Sequence, residues 1–210
     1  ILSLSAMSLA LMSTTAFAGG HCAAGKTLSE GTLTIATGNP AYYPWVIDDA
    51  PESGQGFEAA VAYAVAAEMG FVADDVTWVR TSFDEAIQPG AKSFDVNIQQ
   101  YSITAARDEM VDFSTPYYTA PMAVLVGPGA VDTAATLDAL RDLKWGVMGS
   151  TTALPKIETV IQPTDDPLIY GDNADVNAAM SANQIDAALF DLPTALFLSA
   201  VMIEGSKVVG

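Results

Sequence analysis

The stretch FDVNIQQYSITAARDEMVDFSTPYY, residues Phe94–Tyr118, decides the fold because it combines three kinds of local signal. It opens as a β-rich run over Phe94–Ile98, and Thr104 is placed to cap a short helix over Ala105–Met110. It then runs into Ser114–Pro121, where two prolines disfavour a helix and force extended geometry on the residues before them. The stretch therefore predicts a strand, a short capped helix and an extended connector between two α/β units.

On both sides of this stretch, short β-rich runs alternate with helical patterns. The clearest helix has Phe57, Val61, Val65 and Met69 on one face and ends at Gly70. Such alternation is typical of α/β proteins with parallel sheets. The other predicted strands are Leu33–Thr37, Val76–Arg80, Ala123–Val126, Trp145–Met148 and Ala187–Phe190, and the other predicted helices are Leu137–Leu143, Leu154–Ile161, Val176–Asn183 and Pro193–Met202.

The two ends of the 210-residue chain have their own patterns. Residues 1–18 carry no charged side chain and end in Ala16-Phe17-Ala18, which predicts a secretory signal peptide followed by a tail over residues 19–30. The alternative, a buried or membrane-spanning helix, is disfavoured because about 18 residues is the lower limit for a span and Ser and Thr dilute this one. The last residues, Lys207–Gly210, are typical of the beginning of a strand or connector, so we expect the C-terminus to be truncated.

Composition excludes several function classes. Twenty-five acidic residues against eight basic ones give a net charge of −17, so we expect neither nucleic acid nor an anionic membrane as partner. The single cysteine, Cys22, excludes an internal disulfide and is interpreted as an incidental tail residue. The only histidine is His21, and no phosphate-binding or dinucleotide-binding glycine motif occurs. We expect no cofactor, no metal and no catalytic residue. Two enzymatic alternatives stay open, a lyase and an enzyme with a catalytic pair of carboxylates, because the missing motifs do not exclude them.

Arg107 is the strongest candidate for a ligand-binding residue because the chain has only three arginines. It follows the predicted strand end closely, where Ser102 and free backbone N–H groups would also lie. Ligands of open α/β sheets bind at that edge, and a guanidinium pairs with a carboxylate through two hydrogen bonds. The alternative is that Arg107 pairs on the surface with Asp108, Glu109 or Asp112.

Five blocks of sequence together carry a family resemblance. Gly31–Trp45, Gly54–Gly70 and Phe94–Tyr118 resemble the family-3 periplasmic solute-binding proteins, the polar amino-acid binders of ABC importers, and occur in that family's order and spacing. Trp145–Thr152 and Ile185–Asp191 are weaker blocks of the same resemblance. It implies a two-lobed, type II periplasmic binding protein-like fold.

The resemblance also implies a domain organisation and a role. Lobe 1 would cover residues 31–118 and lobe 2 residues 119–210, with the first crossing near Tyr117–Ala120 and the return to lobe 1 after Gly210 missing. The protein would be a periplasmic monomer that closes on an amino acid and delivers it to the membrane permease of an ABC transporter. Two alternatives stay open: an enzyme similar to cyclohexadienyl dehydratase on the same fold, and a periplasmic sensor or accessory protein.

The resemblance further implies a set of ligand-binding residues. The set is Asn39, Tyr42, Phe83, Gln100, Ser102, Arg107, Thr152 and Asp191. Arg107 would bind the ligand α-carboxylate with help from Thr152 and from backbone N–H groups near Ser102. Asp191 would receive the α-ammonium group, and Ser102 would help to hold that end of the ligand. Without the resemblance, Asp191 would be interpreted as a helix cap.

Side-chain selectivity would come from the other members of the set. Tyr42 and Phe83 would sandwich the ligand side chain, although on pattern alone they would be core aromatics. Gln99 and Gln100 depart from the small residues usual in the family, which predicts a narrower pocket floor with more donors. Asn39 replaces an acid that some members use for a distal amino group, so the resemblance favours a neutral or polar amino acid.

Overall fold

A computed structural model describes residues 23–132 and 136–210 of the chain. The predicted signal peptide, His21 and Cys22 lie outside the described residues. Within the described ranges, no helix combines the length and the apolar character needed to cross a bilayer.

A three-stranded parallel sheet organises the first part of the chain. Its strands are β1 (Leu33–Gly38), β2 (Val76–Thr81) and β3 (Val96–Asn97), in the order β2-β1-β3. β1 is buried on both faces, as a central strand of a parallel sheet requires. These strands confirm three predicted ones, although β3 is shorter than Phe94–Ile98.

Helix α1 (Phe57–Glu68) packs on this sheet partly with the predicted face. Val61 and Met69 pack against the core of the sheet together with two buried alanines, whereas Phe57 and Val65 are 39% and 49% exposed. The predicted apolar face is therefore confirmed for two of its four residues. Small alanine side chains let the helix approach the sheet closely, and Val65 lines a large cavity instead.

The second part of the chain contains two small sheets. Their strands are β4 (Met122–Val126), β5 (Gly146–Met148), β6 (Leu168–Tyr170), β7 (Ala187–Asp191) and β8 (Lys207–Val208). β5 and β6 form a two-stranded parallel sheet, whereas β4 lies antiparallel between β7 and β8 in a three-stranded sheet. An isolated parallel bridge joins Trp145, next to β5, to Ala187 of β7. The expectation of parallel sheets throughout was therefore wrong for β4. This strand is entered from an extended segment and not from a crossover helix, so no crossover fixes its direction.

Six further α-helices connect the strands in the described part of the chain. They are α2 (Phe83–Ile87), α3 (Ala105–Asp108), α4 (Leu137–Arg141), α5 (Ala153–Lys156), α6 (Asn173–Ser181) and α7 (Leu192–Phe197), and α5 and α7 continue as π-helical turns over Ile157–Ile161 and Leu198–Met202. All helices predicted from the pattern are present with shifted ends, and α2 and β6 are additions. The predicted cap of α3 is confirmed, since Thr104 accepts a hydrogen bond from the Arg107 N–H. Ser114–Pro121 is free of helix, as its prolines predicted.

Candidate functional site

The carboxyl ends of the strands surround one large cavity of about 1290 Å³. Segments that follow β1, β2, β3, β5, β6 and β7 all contribute to its wall. This is the edge at which α/β sheets bind ligands. All eight residues predicted for ligand binding line this cavity: Asn39, Tyr42, Phe83, Gln100, Ser102, Arg107, Thr152 and Asp191.

The guanidinium of Arg107 is held between two backbone carbonyls and two aromatic rings. It donates hydrogen bonds of 2.9 Å to the carbonyl oxygens of Ser102 and Ser150. Its Cζ lies 5.3 Å from the ring centroids of both Phe83 and Tyr101, which stack on each other. The carbonyls and rings fix the direction of the guanidinium but leave its positive charge uncompensated.

Arg107 has no acidic ion-pair partner within residues 23–132 and 136–210. The ion pairs among the described residues are Arg80–Asp49 and Arg141–Asp138, so the predicted alternative of pairing with Asp108, Glu109 or Asp112 is wrong. Burial lowers the pKa of the Arg107 guanidinium from its usual range, while the neighbouring Tyr101 opposes that change. A half-buried cation without a counter-charge is suited to an anionic ligand group.

Asp191 ends β7, caps α7 and lines the cavity. Its two oxygens accept hydrogen bonds of 2.9 Å from the backbone N–H and the hydroxyl of Thr194. The indole Nε1 of Trp45 donates a 3.0 Å hydrogen bond to the same hydroxyl oxygen. Burial raises the pKa of the Asp191 carboxyl, and the hydrogen bonds from Thr194 act in the opposite direction. No basic side chain in the described part of the chain pairs with it.

Other predicted residues make contacts between segments far apart in sequence. The Tyr42 hydroxyl donates a hydrogen bond to Asp172 Oδ1, and burial raises the pKa of this phenol. The hydroxyl oxygens of Ser102 and Thr152 lie 3.3 Å apart, within hydrogen-bond distance. Asn39 is exposed at the cavity wall. These contacts join the segments after β1 and β3 to those after β6 and β5.

The sequence matches the bacterial extracellular solute-binding proteins, family 3, over residues 33–192. The chain belongs to this family. The L-cystine-binding protein TcyJ of Escherichia coli (strain K12) is 29% identical to it over 174 residues, which are 82% of this chain and 64% of the relative. A probable amino-acid ABC transporter periplasmic-binding protein, y4tE of Sinorhizobium fredii, is 28% identical over 81% of this chain and 58% of its own length. The chain thus spans less than two thirds of either curated relative.

A solved structure supports the same assignment. An ancestral amino acid-binding protein, described as a precursor of cyclohexadienyl dehydratase, superposes with a TM-score of 0.68 at 28% identity, over 85% of this chain and 77% of its own. The predicted α/β periplasmic binding protein-like fold is confirmed by this likeness together with the family match.

Sequence reasoning did not identify the buried carboxylate of Glu58 in this family-3 solute-binding protein. Glu58, which is 0% exposed, accepts hydrogen bonds from the Gln100 backbone and side chain and from the Tyr117 hydroxyl. The side chain of Gln100 is therefore directed at Glu58, although the residue lines the cavity. The position of Glu58 in the first turn of a helix otherwise rich in alanine and valine was the available signal. Among the described residues of this solute-binding protein, no group of three acidic, cysteine or histidine side chains could hold a metal ion.

Proposed function

We propose that the protein binds one amino acid in the cavity and delivers it to the permease of an ABC transporter. The observation that carries the proposal is that Arg107 and Asp191, charges of opposite sign, line the same cavity while neither has an ion-pair partner among the described residues. A zwitterion satisfies both. Its carboxylate would accept hydrogen bonds from Arg107, and its ammonium group would donate to Asp191.

Contacts across the cavity support capture by closure of two lobes. With the lobes divided at residues 118 and 119, the bond from Arg107 to the Ser150 carbonyl and the Ser102–Thr152 contact both join lobe 1 to lobe 2. A ligand held by Arg107 from one side and Asp191 from the other gains both contacts only when the lobes are together. Its higher affinity for that state shifts the population towards it.

Partner and location belong to the same proposal. We infer a periplasmic protein, secreted through the predicted signal peptide, that acts as a monomer beside a membrane permease. The similarity to the Sinorhizobium relative, a probable amino-acid ABC transporter periplasmic-binding protein, supports this inference. The net charge of −17 suits a freely diffusing protein that anionic surfaces repel.

A thermal-shift screen of the complete protein against the standard amino acids and L-cystine tests the proposal. A ligand present at 100 times its dissociation constant stabilises the native state by about 2.7 kcal/mol, which is a readily measured rise in melting temperature. Arg107→Ala is expected to abolish the rise. If no amino acid shifts the melting temperature of well-folded protein, amino-acid capture is wrong.

A second candidate function is a dehydratase reaction on the same scaffold. Two carboxyl groups of the cavity wall, those of Glu58 and Asp191, have pKa values raised by burial, which is a common property of general acids. Binding is favoured over catalysis because Glu58 is enclosed by three donors and has no exposed surface to present to a substrate. Incubation with prephenate or arogenate, followed by product detection, distinguishes the two functions.

A further inference from the structure

Arg80 is not among the proposed ligand contacts, yet it is bonded to the loop that carries two of them. It lies near the carboxyl end of β2 and does not line the cavity. The loop, residues 39–50, follows β1 and contains Asn39 and Tyr42, which both line the cavity. Arg80 can therefore affect a ligand only through this loop.

The guanidinium of Arg80 joins the beginning of the loop to its end. Its Nη1 donates hydrogen bonds of 2.8 Å to the carbonyl oxygen of Gly38, where β1 ends, and of 2.6 Å to Oδ1 of Asp49. Its Nη2 donates to the backbone carbonyl oxygen of Asp49. Because a guanidinium presents its donors in a rigid fork, these three bonds fix the two ends of the loop relative to each other.

The carboxylate of Asp49 connects this anchor to the residue before Tyr42. Its Oδ1, which accepts from Arg80, also accepts a 2.8 Å hydrogen bond from the Ala41 N–H. Ala41 is buried and directly precedes Tyr42, so the bond holds the backbone from which the Tyr42 side chain extends. At its other end, the Tyr42 hydroxyl donates to Asp172, on the segment after β6.

The backbone at the end of the loop has a conformation that its surroundings must maintain. Asp48 and Asp49 both have a φ of 53°, in the left-handed region that residues other than glycine seldom adopt. Such residues persist where neighbouring contacts hold them. Here the contacts are side-chain bonds, from the Tyr43 hydroxyl to Asp48 and from Arg80 and Ala41 to Asp49. Loss of Arg80 would therefore allow the loop to relax.

The ion pair alone would not indicate a functional role. The side chains of Arg80 and Asp49 are 31% and 48% exposed, and ion pairs in contact with water contribute little to stability. The additional feature of Arg80 is that its partner also holds the backbone of the cavity wall. Arg141 provides the contrast, since it bonds Asp138 and the Ile161 carbonyl outside the cavity.

We propose that Arg80, acting through Asp49, is a positioning residue that holds Tyr42 against the side chain of the bound amino acid. The inference rests on the proposed amino-acid capture and explains how one wall of its site is kept in place. A gap of about 1 Å between the ring and the ligand already forfeits up to about half of the dispersion energy of each atomic contact. Loss of Arg80 should therefore weaken binding while the contacts of Arg107 and Asp191 stay intact.

A double-mutant cycle between Arg80 and Tyr42 tests the inference. The measurement is calorimetric titration of the complete protein with the amino acid that it binds most tightly. Arg80→Met removes the three bonds and keeps a side chain of similar shape. We expect it to weaken binding about fivefold in the wild-type background and by less than about twofold in the Tyr42→Ala background, because residues that act as one unit are not additive.

Two further variants separate positioning from general stability. Arg141→Met removes a comparable arginine outside the cavity, and we expect it to lower the melting temperature without changing the dissociation constant. Asp49→Asn keeps an oxygen for the Ala41 N–H and tolerates the left-handed backbone, but it loses the charge that pairs with Arg80. We expect it to weaken binding in the same direction as Arg80→Met, and only when Tyr42 is present. It decides the question if Arg80→Met does not fold.

Three results would overturn the inference. The first is equal weakening by Arg80→Met with and without the Tyr42 ring, since Arg80 would then act through other residues. The second is a lower melting temperature of Arg80→Met with unchanged affinity, which a purely structural residue would give. The third is unchanged affinity of Tyr42→Ala. All three leave amino-acid capture intact, whereas failure of every amino acid to bind the wild type overturns both proposals.

Discussion

The carboxylate of Glu58 accepts a 2.8 Å hydrogen bond from the backbone N–H of Gln100, which ties α1 to the loop that follows β3. Gln100 has a φ of 52°, a left-handed conformation that a non-glycine residue adopts only when its surroundings hold it there. The same carboxylate accepts from the Tyr117 hydroxyl, at the predicted crossing between lobes. One buried acid thus fixes both the cavity loop and the segment around Tyr117.

Glu58→Gln is expected to change how stability depends on pH. Burial raises the pKa of Glu58, and its hydrogen bonds from Tyr117 and Gln100 act in the opposite direction. Between the usual glutamate value of about 4.3 and this raised pKa, the folded state binds more protons than the unfolded state. The free energy of unfolding of the wild type should therefore fall, relative to the variant, as pH rises through that window.

Urea unfolding of both proteins between about pH 4 and pH 8 measures this difference. Asp191, whose pKa is also raised, repels the Glu58 carboxylate, so both proteins carry Asp191→Asn in this comparison. Glu68→Gln, at the exposed end of the same helix, controls for the loss of one negative charge. A difference between wild type and Glu58→Gln that stays constant with pH would contradict the assignment.

Local signals in the sequence predicted the parts of the fold that depend on neighbouring residues. Thr104 was recognised as a cap because the capping hydroxyl and its N–H partner are three residues apart. The strand β6 was missed because Leu168–Tyr170 is too short to show alternation. The predicted apolar face of α1 was confirmed only in part, because periodicity alone does not say whether alanine or valine packs against the sheet.

The residues of the candidate site were predicted from the family resemblance and could not be predicted from local sequence patterns alone. Its eight residues do line one cavity, yet pattern alone would have made Asp191 a helix cap, and the structure shows that it is a cap as well. The bond between Tyr42 and Asp172 joins residues 130 positions apart, and no local pattern encodes such a distance. Contacts of this kind depend on how the segments meet in space.

Arg107→Lys is expected to weaken amino-acid binding at least tenfold although it keeps the positive charge. Lysine cannot hydrogen-bond both the Ser102 and Ser150 carbonyls and still present a planar pair of donors to a carboxylate. Arg141→Lys is the matched control, since Arg141 bonds Asp138 and the Ile161 carbonyl outside the cavity. Equal affinities of Arg107→Lys and wild type in calorimetry would show that Arg107 does not bind the ligand carboxylate.

Thr194→Val is expected to weaken binding about tenfold through loss of alignment at Asp191. The Thr194 hydroxyl donates to Asp191 and accepts from the buried Trp45 indole, so valine removes both bonds and leaves an unpaired N–H. A hydrogen bond to a charged group contributes about 1.5–3 kcal/mol. Thr194→Ser keeps the hydroxyl and should bind nearly as wild type. If valine and serine variants have the same ligand dissociation rate, the hydroxyl does not position Asp191.

Gly56→Ala is expected to destabilise the fold by about 3 kcal/mol or more. Gly56 has a φ of 102°, and an added Cβ would lie 2.4 Å from the Trp45 carbonyl oxygen and 2.7 Å from Val46 Cα. Backbone atoms cannot move aside cheaply, and that carbonyl also accepts the Glu58 N–H at 2.9 Å.

Gly31→Ala is the control. Gly31 has a φ of 76° and open space around the position of an added Cβ, so only the cost of the left-handed backbone conformation, about 1–2 kcal/mol, applies there. Equal losses in urea unfolding would mean that backbone conformation, and not the close approach of Gly56 to Trp45, sets the requirement for glycine where α1 begins.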